Sequence, residues 1–325
     1  MVKHISWTGQ ESCHDAHGDP IDCSRSGQDA EMRIGNPWPR PRFVAHGDVV
    51  SDRLTELTWL RDANIAGFPY TWSEALDLIA EMNHNGHADH DDWRLPSCRE
   101  LRSLISYQTR RPALPEGHPF EQVYPSWYWS GTTAAVHPSY AWYVNMDGGR
   151  MFYGHKDQSY LAWPVRGGTG ASSHSIATPT RVGETDMLIG VASPEPRFAV
   201  RRDGVEDRLT GLVWQREADP LGAPCTWQQA LDYASELRER QALAGRRGWH
   251  LPTINELASL VDYGCARPAL PPGHPFGDVP EAVWASTTSL YEPDWAWALY
   301  LHKGACGVGQ KALPHYHAWL VYSPA

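Results

Sequence analysis

Hydrophobic and polar positions follow the same order twice along the chain. Phe43-Val44 and Phe198-Ala199 each open a short apolar run that reaches a glycine, Gly47 and Gly204, and resumes as Leu57-Thr58-Trp59 and Leu212-Val213-Trp214. Apolar and β-branched residues alternating around turn residues predict a β-hairpin. The spacing then changes. Trp72, Ala75, Leu76 and Ile79 share one face of a helix predicted over 72–83, and its counterpart is predicted over 227–239. A second helix is predicted over 98–107 and 254–263, where Leu101, Leu104 and Ile105 match Leu257, Leu260 and Val261. Every helix opens on a hydroxyl residue with Glu or Gln three positions on: Thr71 and Glu74, Ser97 and Glu100, Thr226 and Gln229, Thr253 and Glu256. In that pattern side chain and backbone cap each other.

Prolines then end the regular pattern. The decapeptide RPALPEGHPF at 111–120 returns as RPALPPGHPF at 267–276, identical at nine of ten positions, with the two starts 156 residues apart. Its prolines break helix and inner strand alike. It carries no nucleophile and no convergent carboxylates, so it reads as a rigid crossing loop. Strands follow over 128–133, 141–146, 151–153 and 161–166; the second copy offers 283–288, 296–301, a glycine-rich turn and 318–322. Strands, two helices, a proline-rich loop and a terminal antiparallel meander make an α+β domain, here in tandem. The first copy is placed at 41–167 and the second at 196–325. An irregular leader occupies 1–40, and a shorter, cysteine-free echo of it occupies 168–195.

These words and their order resemble the Lcl C-terminal domain family, named for the end domain of a bacterial collagen-like adhesin. Asp52 to Trp59, Thr71 to Leu76, Asp92 to Leu101, Tyr128 to Thr133, Ala141 to Val144 and Trp163 to Arg166 carry the resemblance. Asp207 to Trp214, Thr226 to Leu231, Trp249 to Leu257 and Trp284 to Thr288 carry it again. It implies two tandem C-type-lectin-like domains in a secreted or surface protein. The family's best-known role is adhesion, with binding to sulfated polysaccharides, and it brings no catalytic residue. The second copy departs from the pattern at Trp249-His250-Leu251-Pro252, at its Val321-Tyr322-Ser323 ending and over 302–317, which is unlike 146–160. A specificity private to this chain is expected in that last stretch.

Composition narrows the partners. The net charge is −10; of the 28 basic residues only Lys3, Lys156, Lys303 and Lys311 are lysines, and no basic run is long enough to read as a nucleic-acid stripe. The same acidity weighs against sulfated glycans. No apolar run approaches the ~18 residues of a membrane span. The first ten residues lack the apolar core of a signal peptide. An extracellular, cell-surface or periplasmic location is expected with any signal absent from this chain. Cys13 and Cys23 lie close enough for a local disulfide, whereas Cys98, Cys225, Cys265 and Cys306 do not repeat and their pairing stays open.

Sixteen tryptophans and fourteen tyrosines supply apolar faces with polar tips. Most are read as core. Those on the meander, where alternate residues share a face, are the ligand-binding candidates: Tyr143, Asn145, Asp147, Tyr153, His155 and Tyr160 in the first repeat, and Tyr291, Trp295, Tyr300, His302, Lys303, His315 and His317 in the second. Glu292 and Asp294 flank Pro293 in a triplet of the kind that holds calcium, although a plain loop turn is preferred because calcium needs about 6–8 oxygens. The histidines and aspartates of 83–92 are weighed as a metal loop and read as solvated. Arg94, Asp52 and Asp207 are read as buried arginine–carboxylate pairing. Ser130, Thr132, Thr133 and Ser286 are read as strand hydroxyls bonded to backbone. The expected function is non-catalytic recognition of a glycan or protein through the meander, with no required cofactor. Alternatives are a subunit of a surface, filament or phage-like assembly, which would make the chain a homo-oligomer, and a metal-dependent oxidase of the same broad fold.

Overall fold

All four predicted helix starts are closed by reciprocal capping. The Thr71, Ser97 and Thr253 hydroxyls accept from the amides of Glu74, Glu100 and Glu256, whose carboxylates return to the cap amides. Thr226 and Gln229 exchange the same two bonds, at 2.9 and 3.2 Å. In this computed structural model, which describes residues 5–167, 187–188, 191–242 and 248–324, the helices run Trp72–His84, Cys98–Ser103, Trp227–Ala242 and Ile254–Ser259. The second helix of each repeat stops earlier than its apolar spacing predicts: the amides of Ser106 and Asp262 turn to the crossing loop at Ala113 O and Ala269 O, and an arginine takes the closing carbonyl. Arg42 donates to Ser103 O and Arg197 to Ser259 O, both at 2.7 Å. The same guanidinium groups are buried against Asp52 and Asp207, at 2.8 and 2.9 Å. The recurrent aspartates therefore pair within the first hairpin. Arg94 pairs instead with Glu100 at 2.6 Å, and His250 takes its place in the second repeat, 3.0 Å from Glu256. One capping-box glutamate serves both chemistries.

The chain forms two compact units, Trp38–Val191 and Met1–Pro37 with Ala192–Ala325. In the first, Phe43–His46, Val49–Asp52 and Leu57–Leu60 form an antiparallel sheet, and Val165–Arg166 pairs with Leu57–Leu60 as its fourth strand. A separate meander joins Trp127–Thr133, Tyr140–Asn145 and Met151–His155. The second unit repeats the first sheet with Phe198–Arg201, Gly204–Asp207, Val213–Trp214 and Val321–Tyr322. Its meander is Ala282–Thr288, Trp295–Tyr300 and Ala305–Gln310. Two expectations change here. The last strand of each repeat leaves the meander and closes the opening hairpin, Val165 opposite Trp59 and Val321 opposite Trp214. The glycine-rich stretch of repeat 2 is a strand, and Gly309 is there because a side chain would run into the Tyr316 and Trp284 rings.

The repeated decapeptide is the expected crossing loop. Ser106 donates to Ala113 O at 2.9 Å and Ala113 to Met146 O at 2.8 Å, which ties the end of the helix to the meander. Asp262, Ala269 and Leu301 form the matching chain at 3.0 and 2.7 Å. Phe120 seats edge-on against Trp163, and Phe276 against Trp319, with ring centres 4.8 and 4.9 Å apart.

The leader belongs with the second repeat. Cys13 and Cys23 are disulfide-bonded, and a single turn of helix, Asp29–Met32, follows. Ser6 O accepts from Asn255 at 3.0 Å, and the turn at Gly18 abuts the backbone of Pro293 and Asp294.

Candidate functional site: an aromatic face on the first repeat

Register decides which predicted residues meet. Trp129 lies opposite Tyr143, and Tyr143 opposite Phe152, so these three share one face of the first meander with Trp127 and Asn145. Tyr160 joins them from the following loop, held by exchange of backbone hydrogen bonds with Tyr70 at 2.8 Å each way. Trp127 and Tyr143 are 4.7 Å apart between ring centres, Tyr143 and Tyr160 4.6 Å, Trp129 and Tyr160 4.7 Å, and Trp127 and Phe152 6.4 Å. Trp129 is buried and anchors the group, donating from its indole to Tyr70 O at 2.9 Å. Trp127, Tyr143, Phe152 and Tyr160 are half-buried and present ring surface outward. Mostly edge-to-face packing of this kind makes a stiff platform. The Tyr160 hydroxyl donates to Gln158 Oε1 at 3.1 Å. Burial and the neighbouring Tyr160 push the Tyr143 hydroxyl well above its ordinary pKa, so it stays protonated. Phe68, 60 % exposed, extends the apolar surface through Tyr70, 4.9 Å away.

The other first-repeat candidates lie elsewhere. Tyr153 and His155 are on the opposite face, grouped with Tyr140 at 5.9 and 5.4 Å. Asp147 forms an ion pair with Arg111 of the crossing loop at 2.9 Å. Asn145 Oδ1 accepts from the Asp147 amide at 2.8 Å, so this side chain shapes the turn. Trp127 and Phe152 were not among the candidates. The signal was present in Trp127-Tyr128-Trp129, whose outer two residues must share a face once the segment is a strand.

In the second repeat Tyr300 and Tyr316 bring their hydroxyls to 2.8 Å, and each lies 3.3 Å from Val308 O. Lys303 sits 4.8 Å from the Tyr300 ring centre, with His302 6.1 Å from Tyr300 and His315 6.1 Å from Tyr316. Tyr316 was missed because its neighbours were singled out as histidines. His317 turns to Asp219 at 2.9 Å. Tyr291 and Trp295 lie at the far end of the strand, where the Trp295 amide donates to Glu292 O at 2.8 Å. The positions equivalent to Trp127, Tyr143 and Phe152, 155 residues on, are Ala282, Ala298 and Gly307. The ring platform is thus a property of the first repeat.

A family model described as the Lcl C-terminal domain matches residues 48–166 and 203–322. The chain belongs to that family. It carries the domain twice, as the text of the two repeats implied. No curated protein matches the chain.

Neither Lcl repeat, among the described residues, brings three or more His, Cys, Asp or Glu side chains together as a metal site. Around the calcium candidates, Asp294 O accepts from the Lys311 amide at 2.9 Å. Within the histidine-rich stretch Asp92 pairs with Arg166 at 2.6 Å, and Trp93 donates from its indole to His87 O. Cys98, Cys225 and Cys306 are buried thiols, and burial pushes Cys225 up to about 11. The strand hydroxyls are engaged: Ser130 donates to Trp142 O at 2.8 Å and Thr132 accepts from the Cys98 amide at 3.0 Å. No helix among the described residues is long and apolar enough to cross a membrane.

Proposed function

We propose that this tandem Lcl protein is a non-catalytic recognition module acting outside the cell or at its surface, and that its first repeat binds a carbohydrate on the ring platform. The observation that carries this reading is the set of four half-buried rings, Trp127, Tyr143, Phe152 and Tyr160, on one side of a rigid meander. Flat rings fixed by their neighbours lose little entropy on stacking against the C–H faces of a sugar. The Tyr160 hydroxyl and the Gln158 carboxamide at the rim suit sugar hydroxyls. A net charge of −10 favours a neutral glycan over a polyanionic one. The disulfide between Cys13 and Cys23 supports an oxidising location.

The test is a glycan array on the full chain, followed by titration calorimetry with any hit. Trp127→Ala should weaken binding roughly 30-fold, the equivalent of about 2 kcal/mol for a central aromatic contact. Tyr153→Ala, on the opposite face, should leave it unchanged. The reading fails if the native chain binds no glycan, or if Trp127→Ala binds as well as the native chain while its fluorescence unfolding curve is unaltered.

A further inference from the structure

One position on the platform face carries no side chain. Strand alternation puts Gly154, opposite Ala141, on the same face as Phe152 and Tyr143. A side chain at 154 would run into the Gln158 carboxamide and the edge of the Tyr143 ring. The glycine thus leaves a gap in the rings, and Gln158, from the turn after the strand, folds back into it. Two bonds hold Gln158 there. Its amide donates to His155 O at 3.0 Å, and its Oε1 accepts from the Tyr160 hydroxyl at 3.1 Å.

The second repeat fills the equivalent gap in another way. Gly309 stands 155 residues beyond Gly154. Tyr316 bridges to Cys225 as Tyr160 does to Tyr70, so the two tyrosines correspond. The Tyr316 ring itself lies over Gly309, and its hydroxyl meets that of Tyr300 at 2.8 Å. Only the first repeat sets a carboxamide among the rings, and the bonding fixes which end of it a ligand meets. The Tyr160 hydroxyl has one hydrogen to give, and it goes to Gln158 Oε1. That leaves the Nε2 end, with two hydrogens, for a ligand. Gln158 is exposed, and the Trp127, Tyr143 and Phe152 rings beside it are half-buried. A sugar hydroxyl that accepts from Nε2 brings a hydrogen of its own, which ring surface does not satisfy. A carbonyl brings none. A methyl group attached to that carbonyl gains contact with the rings.

We propose that Gln158 is the specificity-determining residue of the platform, and that its Nε2 donates to the carbonyl of an acetamido sugar whose methyl group lies on the adjoining rings. This rests on the platform being the sugar-binding face, and it names the class of sugar. An uncharged donor suits a neutral N-acetylated hexosamine, in keeping with the net charge of −10.

Titration calorimetry on the full chain with tri-N-acetylchitotriose and with cellotriose tests this. The two differ only in carrying an acetamido group or a hydroxyl on the second carbon of each ring. The native chain should bind the acetylated sugar about ten-fold tighter, the factor given by about 1.4 kcal/mol. Gln158→Glu keeps an acceptor for Tyr160 but puts an oxygen in place of the outward NH2 group. It should bring the two sugars to within about two-fold of each other. On a glycan array, every glycan whose binding Trp127→Ala weakens should carry an acetamido sugar. Lack of preference between the trisaccharides, a preference that survives Gln158→Glu, or Trp127-dependent glycans without an acetamido group would overturn the assignment of Gln158 and leave the platform reading standing. If Trp127→Ala weakens no glycan, the platform reading itself fails, and this inference with it.

Discussion

Asp29 offers the sharpest test of how the leader is held. It opens the leader helix with no exposed surface. One carboxylate oxygen accepts from Thr287 at 2.5 Å, and Oδ1 has no partner. Burial raises the carboxyl from 3.8 to about 7, against the opposing effect of the Thr287 and Thr8 hydroxyls. An acid raised in this way leaves stability intact below its unfolded pKa of 3.8, loses it as pH climbs to about 7, and then loses no more. The cost of the charged form is about 4 kcal/mol at pH 8 and roughly 2 kcal/mol at pH 5. Asp29→Asn removes that cost while keeping an acceptor for Thr287. Its amide nitrogen, placed where Oδ1 lies, goes unpartnered at about 1–2 kcal/mol. The variant should therefore be about 2–3 kcal/mol more stable than the native chain at pH 8 and nearly equal to it at pH 5. Urea titrations followed by tryptophan fluorescence at both pH values measure this. Because the other titrating groups cancel in the comparison, a difference between variant and native chain that does not change with pH would refute the reasoning.

Lys311 should show the opposite dependence. Its pKa falls from 10.5 to about 7, mainly by burial, so its contribution is complete only above 10.5 and is lost as pH falls to 7. The advantage of the native chain over Lys311→Met should grow between pH 7 and 10 in the same urea titrations. Arg197→Ala leaves Asp207 buried without its partner, since both side chains are 5 % exposed or less, and should cost about 3–5 kcal/mol by calorimetry. Gly309→Ala drives a methyl group into the Tyr316 and Trp284 rings and should cost about 1–3 kcal/mol in chemical denaturation.

Much of this architecture was written locally. Helix starts are legible because a capping box is a contact between residues three apart, and all four form where the sequence places them. The tandem organisation is legible because repetition needs no geometry to detect. Long-range pairing decided the rest. Asp52 and Asp207 announce a buried ion pair, but nothing near them says that Arg42 and Arg197 are the partners or that the same arginines bond the last carbonyl of a distant helix. Tyr143 and Tyr153 look alike in the text. They part only when the register sets Tyr143 opposite Phe152 and Trp142 opposite Tyr153, which sends neighbouring side chains to opposite faces. The aromatic platform and the leader's seat both gather residues far apart in the chain, and such meetings are fixed by sheet register and packing. Sequence alone determined the repeat, its helices and its α+β class. Tertiary structure determined which rings share a face and which repeat the leader joins, because those are properties of pairing across the fold and no local stretch encodes them.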